Sequence, residues 1–167
     1  MRKILLLSDT HGYMDDVICR YAEQADEIWH AGDIGSIKVV DTLTNIKPLK
    51  AVYGNIDGTV VRTVCPESQH FICENKKVWI THIGGYPPNY TPGLKKMLQE
   101  IKPDIFICGH SHILKVIFDN KLNLLHINPG AAGQHGFHNV RTMVRFAIDG
   151  SDIKNMDVIE LGKRGVI

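Results

Sequence analysis

Five short apolar runs, each ending in a polar cluster, constrain this chain more than anything else in it. The runs are KILLLS, EIWH, LKAVY, VWIT and DIFIC. The clusters after them hold Asp9 and His11 (SDTHG), Asp33 (HAGDIG), Asn55 (YGNIDG), His82 (ITHIGG), and His110 and His112 (CGHSH). A short continuous apolar run bounded by turn residues reads as a strand buried on both faces. Strands of one sheet that deliver Asp, His and Asn to the same edge can build a site for two cations. The leading expectation is therefore a metal-dependent hydrolase.

The segments between these runs set the fold class. Met14 to Gln24 carries Val17, Ile18, Tyr21 and Ala25 at the spacing of an amphipathic helix. Ser36 is placed to cap a helix through Thr44, with Ile37, Val40 and Leu43 on one face. Strand, helix, strand, helix, strand implies a parallel sheet with right-handed crossovers. Residues 59 to 81 read as antiparallel strands, broken at Pro66-Glu67-Ser68 and Asn75-Lys76-Lys77. Gly84 to Pro92 reads as a loop, Pro92 to Ile101 as a helix, and Ile105 to Cys108 as another buried strand. Leu114–Phe118 and Leu122–Ile127 flank a turn, and Arg141–Ile148 and Ile153–Ile159 flank Asp149-Gly150, a hairpin signal. Gly162 to Ile167 reads as a frayed end. The expected architecture is α/β: one domain over residues 1–167, with two packed sheets, helices on the outer faces, and a mostly antiparallel C-terminal half.

Composition excludes several classes. The net charge is +1, so no global field favours nucleic acid or a membrane. Long nucleic acid is further disfavoured because a phosphate track needs a basic groove. Cys19, Cys65, Cys73 and Cys108 have no metal-binding spacing and read as reduced, mostly buried thiols. No apolar run approaches the ~20 residues of a membrane span, and the N-terminus enters a strand directly. The expected location is the cytoplasm. Nothing in the sequence sets the oligomeric state.

The donor set has a definite chemistry. Asp9 and His11, at i and i+2, can point the same way in an extended segment. Asp33 is the best candidate to bridge two ions, because it leaves the centre of the expected sheet between glycines. Carboxylate, imidazole and amide ligands suit Mn²⁺, Fe²⁺, Zn²⁺ or Ni²⁺ better than Ca²⁺. Two such cations roughly 3.5–4 Å apart would clamp a phosphoryl group and acidify a bridging water for in-line attack. Asp33, Asn55 and His82 then carry the catalytic centre.

The order Asp9-Thr10-His11, Gly32-Asp33, Gly54-Asn55, His82, Gly109-His110-Ser111-His112 closely resembles the calcineurin-like metallophosphoesterase superfamily, over nearly the whole chain. The short length and Asn128-Pro129-Gly130 are similar to its small bacterial and archaeal phosphodiesterase subfamily, which has a non-catalytic relative in the retromer coat. The resemblance implies a four-layer α/β/β/α sandwich. It implies one metal on Asp9, His11, Asp33 and His112, and another on Asp33, Asn55, His82 and His110. It also implies phosphodiester hydrolysis, often with Mn²⁺. Two departures stand out. Many members place a His directly after the Gly-Asn, where this chain has Ile56, and the subfamily often has Ser where this chain has Ala131. Without that His, good leaving groups are favoured.

Further residues extend the site. His135, His138 and Arg141 can bind substrate phosphate or supply an acid if their loop reaches the pocket. Asp57 reads as a turn residue or an acid, His30 as a support of the site or a sheet-edge residue, and Asn128 as a histidine partner or a turn residue. Tyr86 and Tyr90 can wall a substrate pocket. A small or nucleotide-like phosphodiester is the expected substrate. A phosphomonoesterase and a non-catalytic protein-interaction scaffold are the alternatives.

Overall fold

The computed structural model describes residues 1–165. The first sheet is built from β1 (Arg2–Leu7), β2 (Glu27–His30), β3 (Leu49–Ala51), β11 (Val140–Asp149) and β12 (Asp152–Lys163), in the order β12-β11-β1-β2-β3. The second contains β4 (Ser68–Cys73), β5 (Lys76–Thr81), β8 (Ile105–Ile107), β9 (Lys115–Asp119) and β10 (Leu124–Asn128), in the order β4-β5-β8-β10-β9. Between β5 and β8 lies a two-stranded ribbon, β6 (Gly85–Tyr86) and β7 (Asn89–Tyr90), within the segment expected to be plain loop.

Four helices complete the layers: α1 (Asp16–Glu23), α2 (Ile37–Ile46), α3 (Thr59–Val64) and α4 (Leu94–Ile101). Asp15 caps α1 by accepting from the Ile18 N–H, and Ser36 caps α2 by accepting from the Lys38 N–H. β1 shows why its run is apolar on both faces. Leu5 and Leu7 pack against Ile18, Ala22, Val39 and Leu43 of the helices. Ile4 and Leu6 pack against Val78, Ile80, Ile105 and Ile107 of the other sheet. On the far side, Leu94 and Leu98 of α4 cover Trp79, Phe106 and Leu124. The result is the α/β/β/α sandwich.

Two expectations need correction, at residues 59–64 and at Gly162-Lys163. Residues 59–64 form a helix, not a strand. The β-branched TVVRTV reads as a strand by propensity, but Val61 and Cys65, one turn apart, bury themselves in the helix-side core, and packing overrides propensity. The C-terminal half is mostly antiparallel, as expected, through β9–β10, β11–β12 and β1–β11, while the centre of the second sheet, β5, β8 and β10, runs parallel with β4 and β9 antiparallel at its edges. Gly162 and Lys163 belong to β12, with Lys163 paired to Val140, because β11 is long enough to template them. Val166 and Ile167 lie outside the described residues. No helix among the described residues is long and apolar enough to cross a membrane.

Candidate metal centre

The candidate ligands leave the C-terminal ends of parallel strands. Asp9 and His11 follow β1, Asp33 follows β2, Asn55 follows β3, His82 follows β5, and His110 and His112 follow β8. Both sheets release them on the same edge, where open α/β sheets usually hold ligands. Two groups form: Asp9, His11 and His112, and Asp33, His82 and His110. Asn55 joins the second through its Oδ1, 3.1 Å from His82 Nε2. Asp33 faces both groups. Its Oδ2 lies 3.7 Å from His11 Nε2 and its Oδ1 3.2 Å from His82 Nε2.

The loops achieve this by a route the sequence did not show. Asp9, His11, Asp33, His110 and His112 all have positive φ, between 47° and 68°. Asp9 and His11 converge through left-handed turns, not through the extended segment expected of them. The turns are pinned to one another. Asp9 N–H donates to Gly32 O at 2.9 Å, His11 N–H to Asp33 O at 3.0 Å, and His110 N–H to Asp9 Oδ2 at 3.1 Å. Gly54 lies so close to Asp33 that a Cβ there would overlap its carboxylate.

Hydrogen bonds around the groups fix the histidine tautomers. His82 Nδ1 lies 2.8 Å from Ala31 O, which can only accept, so Nδ1 carries the proton. Its Nε2 lone pair then faces Asn55 Oδ1 and Asp33 Oδ1. His138 Nε2 donates to Gly133 O at 3.0 Å, which leaves His138 Nδ1 to accept from His112 Nδ1 at 3.2 Å. His112 Nε2 is therefore bare and sits 3.1 Å from Asp9 Oδ1. Asp9 Oδ1 and His11 Nε2 are buried with no hydrogen-bond partner, while Asp9 Oδ2 is held by Ser8 Oγ at 2.6 Å.

Acceptors facing acceptors across about 3 Å need a positive species between them. A proton is one solution at His82. Burial disfavours charge on that ring, but its bond to Asp33, the nearby Asp9 and the Ala31 carbonyl outweigh this and hold its pKa above the ordinary value. At His11 burial prevails over Asp33 and Asp9, and its pKa is lowered. Divalent cations satisfy both groups together, and the nitrogen and oxygen donors match that class of ion. The residues present fit two cations sharing Asp33.

Neighbouring side chains sort into support and access. Asp57 is buried, and its carboxylate accepts N–H bonds from Gly35 at 2.6 Å, Gly54 at 2.7 Å and Ile34 at 3.0 Å. It ties the loop of Asp33 to the loop of Asn55, a role the turn reading missed. His30 is fully buried: Nδ1 accepts from Gly32 N–H, and Nε2 donates to Thr10 Oγ1 at 2.9 Å. Burial pushes its pKa down to about 4, so it is neutral. Asn128 donates to Gly109 O and Ser111 Oγ, so its amide shapes the GHSH loop through hydrogen bonds to its backbone and serine.

The loop after Asn128-Pro129-Gly130 does reach the site. The His135 ring is 5.0 Å from the His11 ring, and His138 supports His112. Arg141 is a correction. It is buried, donates to Ala132 O and Asp15 Oδ2, and lies over the Tyr13 ring, so its charge is spent in the scaffold and not offered to substrate. Tyr90 likewise donates to Asp119 and packs on Phe106, away from the pocket beside the ligands. All four cysteines are unpaired, and burial pushes the Cys108 thiol up to about 12.

Residues 2–151 match the model of the calcineurin-like phosphoesterase superfamily domain. A probable metallophosphoesterase of Methanothermobacter thermautotrophicus is 28% identical over 134 residues, covering 75% of this chain and 74% of that protein. Wild-type Vps29 of Entamoeba histolytica, solved with Zn²⁺, shares the fold with a TM-score of 0.74 at 16% identity, over 95% of this chain and 98% of that one. A conserved uncharacterized protein of Streptococcus pneumoniae, described as a predicted phosphoesterase, gives 0.71 at 24% identity, over 95% and 89%. Motif order, sandwich and paired donor groups agree with the family match: the chain belongs to the calcineurin-like phosphoesterase superfamily.

Proposed function

We propose that the protein is a metal-dependent phosphodiesterase acting on a small or nucleotide-like diester, with Mn²⁺ the preferred ion. The observation that carries this reading is the facing of bare acceptors in two groups joined by the two oxygens of Asp33. Asp9, His11, Asp33 and His112 would hold one cation, and Asp33, Asn55, His82 and His110 the other. When bound, such a pair supplies Lewis-acid charge to a phosphoryl group and acidifies a water at neutral pH.

The chain's own residues do the rest. Ala31 O and His138 hold His82 and His112 in the tautomers that present bare Nε2 atoms. Asp57 fixes the separation of Asp33 and Asn55. On the Asn55 side neither a histidine nor Asp57 is offered as an acid: Ile56 stands where many relatives have a histidine, and both Asp57 oxygens already accept N–H bonds. His138 is committed to Gly133 O, which leaves the exposed His135 as the histidine free to meet phosphate or a leaving oxygen. Diesters with good leaving groups should therefore turn over fastest.

A second reading, a scaffold working through protein contacts, draws on the Vps29 fold likeness. Complete donor groups favour the enzyme. The test is hydrolysis of bis-p-nitrophenyl phosphate against p-nitrophenyl phosphate, on chelator-stripped protein refilled with Mn²⁺, Ni²⁺, Zn²⁺ or Mg²⁺. Faster diester turnover that needs metal, and is lost in Asp33→Ala and His82→Ala, is expected. Preference for the monoester would make it a phosphatase, and metal binding without turnover would favour the scaffold.

A further inference from the structure

A cavity of about 280 Å³ opens beside Asn55 and His82. Tyr53, Arg62, Glu67, Thr81 and Ile83 form the rest of its wall with Gly54. Arg62 stands on α3 and uses one edge of its guanidinium internally. Nε donates to Asp57 O at 2.6 Å, and Nη2 reaches Asn55 O at 3.4 Å and Gly54 O at 3.5 Å. The plane lies over the Tyr53 ring, 4.5 Å from its centroid. The opposite edge, Nη1 with the second Nη2 hydrogen, keeps its donors. Glu67 is exposed on the same wall. Among the described residues, neither Arg62 nor Glu67 is in an ion pair.

We propose that this cavity is the subsite for one arm of the diester, that the arm is a nucleoside, and that guanine is the base it prefers. The proposal rests on the phosphodiesterase reading. Asn55 and His82 belong both to the candidate metal group and to the cavity wall, so a group bonded to phosphorus at the metals projects into it. At about 280 Å³ the cavity lies at the lower end of the ligand-pocket range, which starts at about 300 Å³, so it has room for at most a single nucleoside and not an oligonucleotide.

The wall chemistry narrows the occupant. An isolated anion would meet Arg62 but be repelled by Glu67. A plain aryl arm would pair with neither charge and leave both to water. A base with acceptors on one edge and donors on the next satisfies both. Guanine offers O6 and N7 to an arginine fork, and its ring N–H and amino group to a carboxylate, which only accepts. Adenine and uracil lack that adjacent pair of donors. The half-exposed Ile83 supplies an apolar shelf and Thr81 a hydroxyl for the sugar.

The experiment compares p-nitrophenyl esters of guanosine, adenosine, cytidine and uridine 5′-monophosphates, with bis-p-nitrophenyl phosphate in parallel. The guanosine ester should exceed the uridine ester in kcat/KM by about tenfold or more, the discrimination of one good bidentate pair. Glu67→Gln should collapse that ratio towards one. Calorimetric binding of guanosine and uridine 5′-monophosphates to the metal-loaded protein gives the same comparison without turnover. Equal rates for all four bases, with bis-p-nitrophenyl phosphate still hydrolysed, would overturn the subsite and leave the reaction standing. If no diester is hydrolysed with any metal, the reaction reading fails. Equal binding of the two monophosphates would then overturn the subsite as well.

Discussion

Replacing Asp57 should damage the protein more than replacing any candidate ligand. Its carboxylate is the acceptor for three N–H groups on two loops, those of Ile34, Gly35 and Gly54. A hydrogen bond to a charged group contributes about 1.5–3 kcal/mol, and a buried donor left unpaired costs about 1–3 kcal/mol. The three bonds share one charge, and the Gly35 bond is only part-buried, so their values do not add fully. Asp57→Ala should lose about 3–5 kcal/mol of unfolding free energy, read by urea denaturation of chelator-stripped protein. Asp57→Asn keeps the shape and one acceptor oxygen, and should lose about half as much. Because these bonds set Asp33 against Asn55, metal affinity should also fall by about 10–100-fold. A loss below about 1 kcal/mol in Asp57→Ala, or an unchanged affinity, would refute the claim that Asp57 joins the two loops.

Three further outcomes follow from the same geometry. His30 is held neutral, its folded pKa of about 4 lying below the unfolded value, so its contribution is complete above about pH 6.5 and disappears as pH falls towards 4. That window is worth about 3 kcal/mol; His30→Gln should flatten the pH dependence of urea unfolding there, and an unchanged slope would show that the ring is not responsible. His138→Ala should weaken metal binding about 10–100-fold by releasing the His112 tautomer, measured by calorimetry, and wild-type affinity would show that the contact does no orienting. Gly54→Ala forces a methyl into Asp33 and should remove one metal from the binding stoichiometry while costing about 1–3 kcal/mol in stability; full stoichiometry would contradict it.

The sheet-edge logic of the site was legible because it is written in one dimension. An apolar run predicts a strand, and the polar residues just beyond it must lie at that strand's end. The sequence alone thus puts Asp9, Asp33, Asn55, His82 and His110 at one sheet edge, where the structure has them. What was hidden depends on the third dimension. TVVRTV became helix because Val61 and Cys65 found a core between α2 and the sheet. Arg141 reads as available because it follows the loop that carries His135 and His138, but its strand turns it inward to Asp15, a residue distant in sequence. Asp57 looked like a turn aspartate because nothing local marks the Ile34 and Gly35 N–H groups as its partners.

The backbone of the site argues for a cation more directly than its composition does. Non-glycine residues with positive φ are uncommon, and the left-handed region typically costs about 1–2 kcal/mol per residue. Nine such residues occur among those described, and five of them are candidate ligands. Of the others, Glu74, Asn123 and Asn155 lie between or within antiparallel strands, and Lys102 ends α4. Asp and His tolerate this region better than most residues, which reduces the strain without removing it. Strain of this kind persists only where the surroundings over-determine it, and here the loops of Asp9, Asp33 and His110 hydrogen-bond to one another. The consequence is that the loops' own hydrogen bonds hold buried acceptors facing each other. A surface serving only protein contacts gains nothing from such an arrangement. The cation centre proposed above would gain its geometry from it.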